Sequence, residues 1–124
     1  MTKKDFDSLP VQAKIVLKIL VKNGMYPIGD ATATKGRSMD NPIVIGVADG
    51  HVPSEYLVSD FLLHNTTHKF MTQISLSDKG RHIDKLVYEV THPDGTPSEV
   101  CFYYDITEGF NNPPEDLLNL LRKK

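Results

Sequence analysis

Between Ile83 and Thr107 two runs of alternating residues flank a Pro93-Asp94-Gly95-Thr96 turn, which is the pattern of a β-hairpin. Side chains alternate faces along a strand, so Leu86, Tyr88 and Val90 point one way, where Val100, Phe102, Tyr104 and Ile106 meet them across the pair. The result is an antiparallel ribbon with one apolar side. Just upstream, Phe70, Thr72, Ile74 and Leu76 alternate with Met71, Gln73, Ser75 and Ser77, so Phe70 to Ser77 is predicted to be a further half-buried strand, turned by Ser77-Asp78-Lys79-Gly80 into the hairpin. Three strands in a meander follow.

Helical signals surround this ribbon. The first helix is opened by Asp7 or Ser8 with Pro10 in its first turn, and ended by Asn23-Gly24. Its apolar residues cover more than a narrow stripe, and Lys14, Lys18 and Lys22 form one wet row. The sheet or a partner must therefore cover the second side. From Met25 to Pro42 there is no period, and the composition is that of a loop. Ile43 to Ala48 is a short buried strand closed by Asp49-Gly50, and Pro53-Ser54-Glu55 begins a second helix, with Leu57, Val58, Phe61 and Leu62 at helical spacing, while Tyr56, Val58 and Phe61 leave a strand from Tyr56 to His64 as the alternative. At the far end Asn112 can cap a helix with Pro113 in its first position, Glu115 returning to the cap, and Leu117, Leu118, Leu120 and Leu121 on one face. The expectation is a single α+β domain over residues 1–124. Its antiparallel β-meander, with one additional short strand, packs against the N-terminal and C-terminal helices.

Composition narrows the function classes. A chain of 124 residues with 40% hydrophobic and 24% charged residues can bury one core without staples. The net charge of -2 gives no general pull toward nucleic acid or anionic lipid. A single cysteine, Cys101, rules out an internal disulfide, and Met1-Thr2-Lys3-Lys4-Asp5 does not lead into the apolar core of a signal peptide. A cytoplasmic protein without a membrane partner is expected.

Four constellations are candidates for chemistry. Asp60, His64 and His68 recur at intervals of four and, on one continuous helix, place a carboxylate and two imidazoles where a zinc-like ion could bind. Against this, Asn65-Thr66-Thr67 is a poor helical run, and no glutamate lies between the histidines to act as a base. Lys35 and Arg37, within the glycine-bearing loop Gly29 to Ser38, could gather around an anion, although the spacing departs from that of a phosphate-binding loop. Asp49-Gly50-His51 places an acid beside a base, and a tight turn explains it without chemistry. Cys101 lies among acidic neighbours, Glu99 and Asp105, which oppose a thiolate.

The remaining candidate is the second face of the sheet. Gln73 and Ser75, then Lys85, Val87, Glu89 and Thr91, then Glu99, Cys101, Tyr103 and Asp105, form a mixed surface. Val87, Glu89, Cys101 and Tyr103 are its predicted partner-binding residues, small apolar and aromatic groups within a polar border. No family motif and no cofactor-binding motif stands in the chain. The sequence therefore leads to a non-enzymatic interaction or adaptor domain that binds a protein, itself included. The two rivals are a small metal-assisted or acid-base enzyme built on Asp60, His64 and His68, and a small-ligand-binding domain walled by Tyr88, Tyr104 and the long loop.

Overall fold

The computed structural model describes residues 3–27, 29–46 and 52–108. In chain order its elements are α1 (Lys3–Asp7), α2 (Val11–Lys22), α3 (Asp30–Thr34), β1 (Ile43–Val44), α4 (Val52–Leu62), β2 (Thr67–Asp78), β3 (Arg81–Thr91) and β4 (Pro97–Asp105). The four strands form one mixed sheet in the order β1-β4-β3-β2. β2, β3 and β4 make the antiparallel meander, and the short β1 adds in parallel to β4 through Ile43 opposite Tyr104 and Val44 opposite Asp105. The fold is α+β. The expected C-terminal helix and the Asp49-Gly50-His51 turn lie outside the described residues.

The hairpin register is the one its alternation implies. Leu86 faces Phe102, Tyr88 faces Val100 and Asp84 faces Tyr104 across β3 and β4. Leu86, Tyr88, Val90, Phe102 and Tyr104 are buried on this inner side with Val16, Ile19 and Leu20 of α2 and Val58 of α4. Apolar side chains from helix and sheet thus share one core, the main favourable contribution to folding.

β2 corrects the expected register. A bulge between Phe70 and Thr72 places two residues of β2 against one of β3. Phe70 still faces Tyr88 on the helix side, but Thr72, Ile74 and Leu76 stand opposite Val87, Lys85 and Ile83 on the outer side. Gln73 and Ser75, expected outside, face inward opposite Leu86 and Asp84. One inserted residue reverses the side of everything beyond it, and hydrophobic alternation does not reveal where the insertion falls.

The N-terminal region differs from expectation in where its helix starts. Asp7 closes the separate turn α1, Ser8 Oγ donates to the Asp5 carbonyl at 2.8 Å, and Pro10 sits just before α2. The expected stop at Asn23-Gly24 is present, with Gly24 at φ 71°. Asn23 also works across space: its side-chain nitrogen donates to the Ile19 carbonyl at 2.8 Å and the Val44 carbonyl at 3.0 Å, while its oxygen accepts from Val44 N at 2.8 Å. One amide thereby ties the end of α2 to β1. The segment expected to be a plain loop contains α3 and then runs beside β4, where Tyr103 N donates to the Gly36 carbonyl at 2.7 Å. Gly36 has φ 80°, and a Cβ there would come within 2.7 Å of Ile43. That combination favours glycine on both backbone and steric grounds. Among the described residues no helix is long and apolar enough to cross a membrane.

Candidate functional site

The outer face of the meander is a grid whose rows are set by strand pairing. Ile74, Lys85 and Tyr103 form one row, Thr72, Val87 and Cys101 the next, and Lys69, Glu89 and Glu99 a third. None of these residues belongs to the core cluster shared with the helices. Val87 is nevertheless buried, at the floor of a shallow depression of about 390 Å³ that is also lined by Met71, Thr72, Glu89, Pro97 and Glu99. Lys85 Nζ lies 5.6 Å from the Tyr103 ring centre, a cation–π contact between neighbouring strands. Cys101 Sγ donates to Glu99 Oε1 at 3.6 Å. Burial raises the pKa of the Cys101 thiol, Lys85 opposes that shift and Glu99 adds to it, a setting that disfavours the thiolate. The structure therefore brings Val87, Glu89, Cys101 and Tyr103 together on one face, with Met71 and Ile74 exposed beside them.

The metal trio is not assembled on one helix face. α4 ends at Leu62 and His68 lies in β2. His64 Nδ1 sits 2.6 Å from the Phe61 carbonyl and its ring stacks on Phe61, whereas His68 Nε2 is 3.3 Å from Asp60 Oδ1. That leaves an Asp60–His68 pair with the histidine ring edge-on to Tyr88. Among the described residues no three histidine, cysteine, aspartate or glutamate side chains gather closely enough to hold a metal ion. In the loop, the Arg37 guanidinium lies over the Phe102 ring, 4.8 Å from its centre, while the Lys35 backbone N–H caps the C-terminal end of α3 by donating to the Ala31 carbonyl. Tyr88 and Tyr104, expected as pocket walls, are core residues, and Tyr104 Oη is 2.6 Å from Ser59 Oγ.

A polar cluster between α4 and the sheet was not anticipated. Glu55 on α4 is fully buried, and among the described residues no hydrogen-bond donor reaches either of its carboxyl oxygens. Asp84 on β3 is buried beside it and accepts from Gln73 Nε2 at 3.0 Å and from Ser75 Oγ at 3.4 Å. Tyr56 Oη in turn donates to Gln73 Oε1. Burial first, and then the Asp84 carboxylate, push the Glu55 pKa up to about 9. Burial beside the Asp84 carboxylate thus favours the protonated form of Glu55. The bulge in β2 supplies what Asp84 needs, because it is the bulge that turns Gln73 and Ser75 inward.

On the helical side, α2 leaves Val11 and Val21 exposed, and a groove of about 310 Å³ runs along it between Leu9, Ala13, Leu17, Tyr26 and Phe61.

No protein-family model, no curated protein and no solved structure matches this chain. Geometry and chemistry alone therefore speak for its function.

Proposed function

We propose that this chain is a non-enzymatic protein-interaction domain whose docking surface is the outer face of the β2-β3-β4 meander, centred on Val87, Glu89, Cys101 and Tyr103. The observation that carries the reading is an aromatic and small apolar patch outside the core shared with the helices, with two large exposed neighbours, Met71 at 49% and Ile74 at 40% exposure. Charged side chains, Lys69, Lys85 and Glu99, stand around it. Apolar centres with polar rims are the usual anatomy of non-obligate interfaces, and tyrosine is among the residues most enriched in their energetic centres. By contrast, the groups with the strongest chemical potential, Glu55 and Asp84, are sealed from solvent, where no substrate meets them.

Sedimentation velocity over a range of protein concentrations tests this reading. Wild-type protein associates as concentration rises, and Ile74→Glu weakens association by on the order of tenfold, because it sets a charge at the exposed β2 margin of the patch. Association that is indifferent to Ile74→Glu and Met71→Lys, with both variants folded, places the interface elsewhere.

A further inference from the structure

We propose that the partner is a second copy of this chain, joined through an antiparallel pairing of the two β2 strands about a two-fold axis at Ile74. The inference rests on the reading above and gives it a partner and a register. β2 is the end strand of the sheet and, among the described residues, pairs with β3 alone over its 12 residues. Natural edge strands avoid promiscuous pairing with charges, proline or glycine kinks. From Phe70 to Ser77 this edge has none of these three; a bulge at Met71, another such device, interrupts only its start, and Thr72 to Ser77 runs unbroken. A long uncharged edge with open backbone groups is a template for one more strand, and an identical edge is always available at the concentration of the protein itself.

Side-chain parity selects the register. Thr72, Ile74, Leu76 and Asp78 share the outer face, whereas Gln73, Ser75 and Ser77 share the inner one. Pairing about Ile74 sets Ile74 against its own mate, Thr72 against Leu76 of the second copy, and Gln73 against Ser75 of the second copy, so like faces meet. The extra bulge residue, Met71, then lets Phe70 stand opposite Ser77 of the second copy and Lys69 opposite Asp78 of the second copy. Both ends of the joint thereby close on opposite charges. Shifting the axis one residue to Gln73 puts Lys69 opposite Leu76, and shifting it to Ser75 puts Lys69 opposite the Gly80 turn. Only the Ile74 axis makes the joint complementary in charge as well as in shape, which is how isologous interfaces are specified. The product is one continuous sheet with the two outer patches on the same side.

A charge-swap experiment on the full chain tests the register. In Lys69→Asp, two aspartate pairs face each other across each dimer; in Asp78→Lys, two lysine pairs do so. Each variant alone is expected to dimerise about tenfold more weakly than wild type. An equimolar mixture restores wild-type affinity as a heterodimer, since every position 69 then faces an opposite charge at position 78. The mixture also separates the joint from the internal Asp78–Arg81 ion pair, which mixing does not repair. As a second variant, Ile74→Cys in a Cys101→Ser background is captured as a covalent dimer by a short thiol cross-linker, and Ser77→Cys in the same background is not. Dimerisation of the wild type without recovery on mixing, and without capture at position 74, overturns this register and leaves the interaction reading standing. A wild type that remains monomeric overturns both.

Discussion

Glutamine in place of Glu55 stabilises this domain near neutral pH and above, and does little in mild acid. The sign follows from linkage: the folded-state pKa of Glu55 is raised from 4.5 to about 9, so the native state holds a proton that the unfolded chain releases. Stability contributed by the protonated form is complete below the unfolded value and is lost as pH rises toward the folded one. At about pH 8 the loss in the wild type is roughly 2–4 kcal/mol, taking 1.36 kcal/mol per pH unit and allowing for relaxation of the site, whereas at about pH 5 it is about 1 kcal/mol or less. Glutamine cannot ionise, keeps the shape, and offers an N–H to Asp84 where the acid offered O–H. Denaturant unfolding of both proteins at a fixed protein concentration should show curves that coincide in mild acid and diverge as pH rises. Parallel pH profiles would mean that Glu55 reaches solvent or a donor in the folded protein.

The second large effect belongs to Phe102. It is fully buried, meets Tyr88 edge-on at 6.0 Å between ring centres, and carries the Arg37 guanidinium on its face. Tyr88 continues the series to Phe70 at 5.6 Å, and Phe70 to Tyr56 at 5.3 Å, so an aromatic ladder crosses the inner face from β4 to α4. Truncating Phe102 to alanine empties the closed end of that ladder and is expected to cost about 3–5 kcal/mol, the transfer free energy of the ring plus the cavity left behind. Phe70→Ala, at the open end where the ring is 41% exposed, costs only about 1 kcal/mol because much of its surface is already wet. Arg37→Ala also costs no more than about 1 kcal/mol, the range of an exposed cation–π contact. Urea midpoints with unchanged slopes check all three. Equal losses at Phe70 and Phe102 would contradict the burial gradient along the ladder.

The hairpin was legible in the residues because nothing interrupts its period of two: Leu86, Tyr88, Phe102 and Tyr104 each land on the inner side. The second helix was only half legible: Leu57, Val58, Phe61 and Leu62 fall at helical spacing, but Tyr56, Val58 and Phe61 suit a strand equally well, and the structure makes the segment α4. Where the chain departs from strict period, legibility ended. One bulge residue between Phe70 and Thr72 reversed the sides of Gln73, Ser75, Ile74 and Leu76, and with them half of the outer face. His68 left the helix register of Asp60 and His64 because α4 stops at Leu62, yet it regained Asp60 across the turn. Glu55 reads as an ordinary first-turn acid of a helix, since sequence position carries no record of what lies opposite in space. Asp84 did leave a signal: it shares parity with Leu86, Tyr88 and Val90, and a carboxylate on the apolar side of a strand demands buried partners. The loop from Met25 to Pro42 hid its order because its contacts to β4, the Gly36 carbonyl accepting from Tyr103 N and the Arg37 guanidinium over Phe102, leave no periodic pattern in the residues.

The outer face and β2 edge as a protein-binding surface are tested most directly by solvent paramagnetic relaxation of side-chain methyl groups, recorded by NMR from dilute to concentrated protein. Relaxation at the methyls of Met71 and Ile74 is expected to fall as concentration rises, while that at Val11 and Val21 on α2 stays constant. Relaxation at Met71 and Ile74 that is unchanged with concentration, or protection that appears on α2 in their place, would contradict it.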